Sequence, residues 1–508
     1  MAQLEKRYEE YLRDESRLTG YAESILQAKS AQEVLDFLKT ESPFTVQGAR
    51  TGIVGGAVPQ GGRILNLSSM NRITGLSVKD GAFFVTVEPG VLLCDLDDAL
   101  ASKRFDASSW DEASREALAA LAKAPPQFFP PDPTESTATL GGMFAANARG
   151  ICAYRYGCTA DYVQAVTVAL ADGRVWTIER GQYVFDESGC PLPDGALSLN
   201  LPESAPLCSA LQPRKGSDLI DLFAGSEGTL GVVLSLTLRL LPRPAIQWGV
   251  VFFLPGEEDA LAFAGSVQEL ATGWSGPALC SLEFLGEAAL ETAAGLRAKQ
   301  TRLQAIPEFP AGCRGAVLAE LCASGEEEME EALMSLLDAF AECGGEEEGT
   351  WAADSPAEIE KFRLLRHAVP EGINAAIDEV RQKEDSVTKL AADFSAPLDR
   401  REELIALYRE GIQKSGLRGV YFGHIAENHL HVNLIPRDET QYKQGLALLS
   451  SWAGACASMG GCLAAENGVG KLKRNLLDQN LPQEQKALMA AIKAYFDPRG
   501  RLCPGNLI

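Results

Sequence analysis

"QGARTGIVGG", residues 47–56, sets Gly48, Gly52, Gly55 and Gly56 between two short apolar runs that read as strands. Closely spaced glycines let backbone N–H groups converge on an anion with no Cβ in the way, and a pyrophosphate suits such a loop. Neither the dinucleotide fingerprint G-x-G-x-x-G nor the phosphate-loop pattern G-x-x-x-x-G-K occurs in this stretch. A tight structural turn would use the same residues, so the loop needs its flanks to decide anything. Before it, "SAQEVLDFLK" (30–39) opens on an N-cap serine, Ser30, and keeps a 3.6-residue apolar period; the first forty residues are expected to be helical. After it, "GAFFVTVEPGVLLCDL" (81–96) reads as strand, turn and helix start, and "AVTVALADGRVWTI" (165–178) as a hairpin. Residues 180–219 hold little periodicity and several prolines, which predicts an inserted surface loop and a candidate contact surface.

Repetition supplies the specificity. "FFPPDPTESTATLGGMFAANARG" (128–150) and "DLFAGSEGTLGVV" (221–233) are two further small-residue loops, and "FDPRGRLCPG" (496–505) closes the chain. In this order, from about residue 25 to 508, the sequence resembles the FAD-dependent 2-hydroxy acid dehydrogenases of the vanillyl-alcohol-oxidase-like flavoprotein superfamily. That group includes D-lactate dehydrogenases, glycolate oxidase flavin subunits and D-2-hydroxyglutarate dehydrogenases. The resemblance implies an α+β fold: a two-subdomain FAD-binding domain over 1–244, an α/β cap domain on an antiparallel sheet over 245–440, and a helical segment over 441–508 that returns to the flavin. It implies FAD contacts at Gly48, Ala49, Thr51, Gly52, Pro131, Asp132, Thr139, Gly142, Ala145, Asn147, Glu227 and Gly231. Gln47 stands where an arginine is common in the group, and Cys503 where an asparagine usually lies near the flavin.

The second dense signal is "HIAENHLH" (424–431), which holds three of the four histidines in the chain. It reads as strand, turn, strand, so that His429, His431 and Asn433 share one face by the two-residue period. Histidines at a strand turn, joined by a carboxylate from elsewhere, suit a divalent metal. The family pattern is similar to H-x-G-D-G-N-L-H with a later glutamate in a "GEHGIG"-like loop. The resemblance therefore implies metal ligands at His424, His431 and Glu466, the last in "AAENGVG", with zinc, manganese or iron all compatible; a histidine base working without metal would meet the same need. Against that pattern His429 replaces an asparagine and Asn467 a histidine, so the two residue types are exchanged between the loops. The expected catalytic set is His429, Asn433 and Asn467, with Arg366 of "KFRLLRHAVPEG" in the family's place for gripping a substrate carboxylate.

A net charge of −23 argues against nucleic acid and anionic membrane surfaces as partners. No apolar run is long enough to span a bilayer and the N-terminus lacks a signal-peptide core, so a cytoplasmic location is expected. Twelve scattered cysteines include no C-x-x-C, which excludes the usual zinc-ribbon and iron–sulfur spacings. The expected function is oxidation of a D-2-hydroxy acid, a small molecule, to the 2-oxo acid. Electrons then pass to an electron-transfer flavoprotein, an iron–sulfur protein or a quinone-linked acceptor. A flavin-bearing electron-transfer subunit with a degenerate substrate site is the alternative. Oligomeric state is left open, a homodimer included.

Overall fold

The computed structural model describes residues 6–133, 135–202, 208, 210–384 and 386–508. These fall into two compact units, and the chain crosses between them more than once. The first takes residues up to 150, 158–243 and 464–508; the second takes 151–157 and 244–463.

In the first unit a three-stranded parallel sheet runs in the order Ser24–Gln27, Arg63–Asn66, Phe44–Gln47. Its core is Phe37, Phe44, Leu65 and Leu502, so the C-terminal segment is part of this layer. An antiparallel sheet of five follows, ordered Ile73–Lys79, Ala82–Val87, Val232–Arg239, Val163–Ala169, Val175–Glu179. The hairpin over 165–178 forms as its alternation predicts, with Ala169 opposite Val175. The helical reading of the first forty residues holds only for Ala31–Leu38, where Ser30 Oγ accepts from Glu33 N at 3.3 Å. Ser24–Gln27 is instead a strand, because pairing with Arg63–Asn66 satisfies its backbone and overrides local propensity. Residues 6–12 form a 3-10 helix. Within 180–219, Gly189–Leu192 pairs with Gly195–Ser198 and buries Cys190, Leu192 and Leu197, so this stretch is not structureless. The rest of that predicted contact surface lies partly outside the described residues.

The second unit is one antiparallel sheet of seven strands. Their order is Thr350–Ala353, Ile246–Leu254, Gly315–Ala323, Ala278–Leu285, Arg418–His424, His429–Ile435, Leu390–Ser395. One face packs the acidic helix Glu326–Glu342, whose Phe340 meets Phe252 and Phe263. The other face carries Val251, Phe253, Leu285, Val420 and Phe422, covered by Glu287–Lys299 and the long helix Pro356–Arg381. The helix Glu439–Ser458 also belongs here: a Cβ on Gly445 would meet Leu390 Cδ1 at 2.5 Å, so glycine permits its close approach. The second unit therefore extends past residue 440 to Leu463.

Candidate functional site

Within the first unit the glycine loops interlock through their backbones. Gly225 N donates to Phe144 O at 3.0 Å and Glu227 N to Ala145 O at 2.8 Å, which ties the third loop to the second. Asn147 ends the helix Leu140–Ala146 in a left-handed conformation, and its Oδ1 accepts from Ala160 N at 3.0 Å. The first loop meets the second at Gly48, where a Cβ would stand 2.1 Å from Thr139 Oγ1, itself the cap that accepts from Gly142 N. Asp132 lies against Gly150, where a Cβ would stand 2.4 Å from its Oδ1, and Gly231 packs near Ala169 O. Gly52, by contrast, is exposed, and a Cβ there would meet no described atom within 4 Å. Ala49 and Thr51 beside it are half-buried. The open space beside Gly52 fits a phosphate of an extended dinucleotide, because no Cβ there would keep it from the backbone N–H groups.

The C-terminal segment closes on these loops. Glu227, half-buried and left-handed, accepts from Val469 N at 2.7 Å and from Gly470 N at 2.9 and 3.0 Å. Burial pushes its carboxyl up, and these backbone donors act in the opposite sense. Its carboxylate thus holds the 468–470 turn. Asn506, which the sequence reading did not single out, donates from Nδ2 to Gly56 O and to Glu227 O, and accepts from Lys471 Nζ. The two departures find structural work: Gln47 Nε2 bridges Tyr11 O and Ala57 O, and Cys503 Sγ accepts from Val46 N at 3.4 Å. Glu466 and Asn467 lie in this unit, just before that clamped turn.

The second unit gathers the other predicted residues on one face of its sheet. Cross-strand register places Glu283 opposite His424, Phe422 and Asp393 either side of His431, and Ser395 opposite His429. The three imidazoles form a triangle with ring centroids 4.8–5.2 Å apart. His424 and His429 are buried, as is Asn433, whose Oδ1 meets no hydrogen-bond partner among the described residues. Arg366 is 4% exposed, stacks over Phe422 with its guanidinium carbon 4.5 Å from the ring centroid, and donates from Nε to Glu283 Oε2 at 2.5 Å. Glu283 Oε1 takes His424 Nδ1, also at 2.5 Å. Burial would raise the Glu283 carboxyl, but the adjacent His424 and Arg366 outweigh it and hold that carboxyl well below the usual range.

Sequence reasoning missed Glu283. The signal was a lone carboxylate inside the apolar run "ALCSLEFL" (278–285), a position that demands a charged partner. Glu320 in "GAVLAELCA" (315–323) is its neighbour in kind, and it pairs with both ends of the Arg363 fork at 2.7 Å. Arg363 and Arg366 sit three residues apart on one helix, so each takes a carboxylate from an adjacent strand.

The fourth histidine, His367, is driven down to about 4 by burial and then by the charges of Arg366 and Arg363. An unfolded imidazole takes its proton near 6.5, so between those values the unfolded chain binds more protons than the fold. Stability should therefore fall as pH drops from about 6.5 to about 4, with roughly 2–3 kcal/mol coming from this one group. Urea midpoints across that range should show a shallower slope for His367→Gln; equal slopes would remove His367 as the cause.

Fold and site together define a flavin-linked oxidoreductase, and comparison with known proteins agrees. A profile described as "FAD linked oxidases, C-terminal domain" matches residues 251–507, and one described as "FAD binding domain" matches 22–111 and 113–179. The chain belongs to the FAD-linked oxidase family. It is 28% identical to a D-lactate dehydrogenase of Anaerostipes hadrus over 98% of this chain and 92% of that one. A glycolate oxidase subunit of Bacillus subtilis is 26% identical over 92% and 83%, and a mitochondrial D-2-hydroxyglutarate dehydrogenase of Bos taurus 27% over 96% and 77%. Among solved structures, a 4-ethylphenol oxidase from Gulosibacter chungangensis superposes with a TM-score of 0.65 at 16% identity, covering 99% of this chain and 93% of that one. The α+β, vanillyl-alcohol-oxidase type of fold is thereby shared. Among the described residues no helix is long and apolar enough to cross a membrane.

Proposed function

We propose that the protein oxidises a D-2-hydroxy acid of the lactate, glycolate or 2-hydroxyglutarate kind to the 2-oxo acid. The observation that supports this most is the buried Arg366 beside three clustered imidazoles on one sheet face. Bound FAD would supply the acceptor for the hydride. Arg366 would grip the substrate carboxylate: its Nε is taken by Glu283, while its two Nη atoms make no hydrogen bond among the described residues. His429 would take the hydroxyl proton, since imidazole titrates near neutrality and is the usual base for such a transfer. Asn433 offers an acceptor to the same hydroxyl, and Asn467 would supply the hydrogen bond that the family's histidine position otherwise makes.

His424, His431 and Glu466 would hold a divalent metal, with zinc, manganese and iron all suited to two imidazoles and a carboxylate. Such an ion would supply Lewis-acid stabilisation of the substrate oxygen. Electrons would leave to an electron-transfer flavoprotein or an iron–sulfur partner, as no C-x-x-C in this chain could carry them onward. The exchanged residues at 429 and 467 favour a second reading, an electron-transfer subunit whose substrate site no longer turns over.

Rapid mixing of the oxidised protein with each acid tests the first reading at Arg366. Arg366→Lys keeps the charge and loses the planar fork, so affinity for the productive acid should weaken by about 1.5–3 kcal/mol. Unchanged affinity for every acid would remove Arg366 from substrate binding.

A further inference from the structure

A deeply buried ion pair of the second unit, Arg366 with Glu283, is also a junction. Glu283 is 0% exposed, yet both its oxygens carry charged or polar bonds, one from His424 Nδ1 and one from Arg366 Nε, each at 2.5 Å. Bringing such a carboxylate out of water is costly, so a well-packed apolar residue would serve stability as well or better. The bonds also run to specific atoms. Arg366 is met at Nε, and His424 at Nδ1. A carboxylate already paired with a guanidinium has no proton to give, so the imidazole is the donor.

We propose that Glu283 is a positioning residue. It fixes His424 in the tautomer with the proton on Nδ1, which puts the lone pair on Nε2, and it anchors Arg366 by Nε, away from both Nη groups. The proposal rests on the reading that His424 serves a metal and Arg366 a substrate carboxylate. One side chain then sets the geometry of both, and disturbing it should move metal affinity and substrate affinity together. Carboxylates that orient a ligating histidine in this way carry a large share of a site's metal affinity. Asp393, opposite His431 in the register, stands where a second such carboxylate would be.

Because an unpaired Arg366 in so buried a place can cost folding itself, the first readout uses the unaltered chain. In FAD-loaded protein carrying 15N-labelled histidine, the His424 ring nitrogens are assigned by their loss in His424→Gln. The expected spectrum shows the proton on Nδ1, with and without added Zn(II); a proton on Nε2 overturns the proposal. The second readout is the FAD-loaded Glu283→Gln variant. Its Zn(II) affinity should fall by about 10–100-fold, and its KM for the acid should rise more than its kcat falls. Glu283→Asp, which restores the charge, should recover part of both, and Glu320→Gln, removing the comparable carboxylate one strand away, should move neither. Glu283→Gln binding Zn(II) and acid as the unaltered protein does would overturn the proposal. If no acid reduces the unaltered protein, the functional reading fails by itself, while the His424 tautomer still decides the role of Glu283.

Discussion

His429→Asn is expected to slow flavin reduction by a 2-hydroxy acid about 10²–10⁴-fold, the range a positioned general base contributes. The imidazole is buried, 1% exposed, and packs against both His424 and His431. His431 carries the other imidazole on its strand, His429–Ile435, and the metal reading assigns it elsewhere. Asn467→His alone should also be slow, because it adds a second imidazole where a neutral hydrogen-bonding group is required. The double variant restores the family's own arrangement and should recover much of the lost rate, giving a large coupling between two residues from separate loops. Pre-steady-state reduction of the four proteins measures it. An unaltered rate in His429→Asn would show that the exchange has no catalytic meaning.

Gly48→Ala and Gly52→Ala should part company. At Gly48 the new methyl would stand 2.1 Å from Thr139 Oγ1, so a β-branched, buried cap must move and the bond from Gly142 N is lost. Overpacking of this kind costs about 1–3 kcal/mol and a lost cap about 1 kcal/mol more, so Gly48→Ala should be both less stable and depleted of FAD. At Gly52 the methyl meets no described atom, so the fold should tolerate it to within about 0.5 kcal/mol. Flavin retention should nevertheless fall, since the methyl would project where the backbone is meant to face phosphate. Flavin absorbance after gel filtration, with a thermal melt of the apoprotein, reads both effects. Gly52→Ala with full flavin would place the cofactor elsewhere.

Much of this was legible in the sequence because backbone demands leave local marks. The glycine-rich turns and the hairpin over 165–178 formed where turn residues and two-residue periods put them. The parallel strand Ser24–Gln27 was not legible. Its partner Arg63–Asn66 is some forty residues away, and no local pattern encodes that pairing. Nor was the helix Glu439–Ser458 assignable to a unit, since its tie to Leu390 is a contact between distant residues. For the site, scarcity did the marking: three histidines in eight residues single out the strand turn on which the proposed site is built. What the sequence hid was the partner of each charge. Glu283 looked like one glutamate among many until register and burial showed what its carboxylate holds.

The central claim is that this chain takes hydride from a 2-hydroxy acid. Its most direct test is an anaerobic titration of the purified yellow protein with D-lactate, glycolate and D-2-hydroxyglutarate in turn. At least one acid should bleach the flavin stoichiometrically, with the 2-oxo acid formed in equal amount and NADH without effect. A flavin that stays oxidised with every acid, yet accepts electrons from a reduced protein partner, would contradict the account.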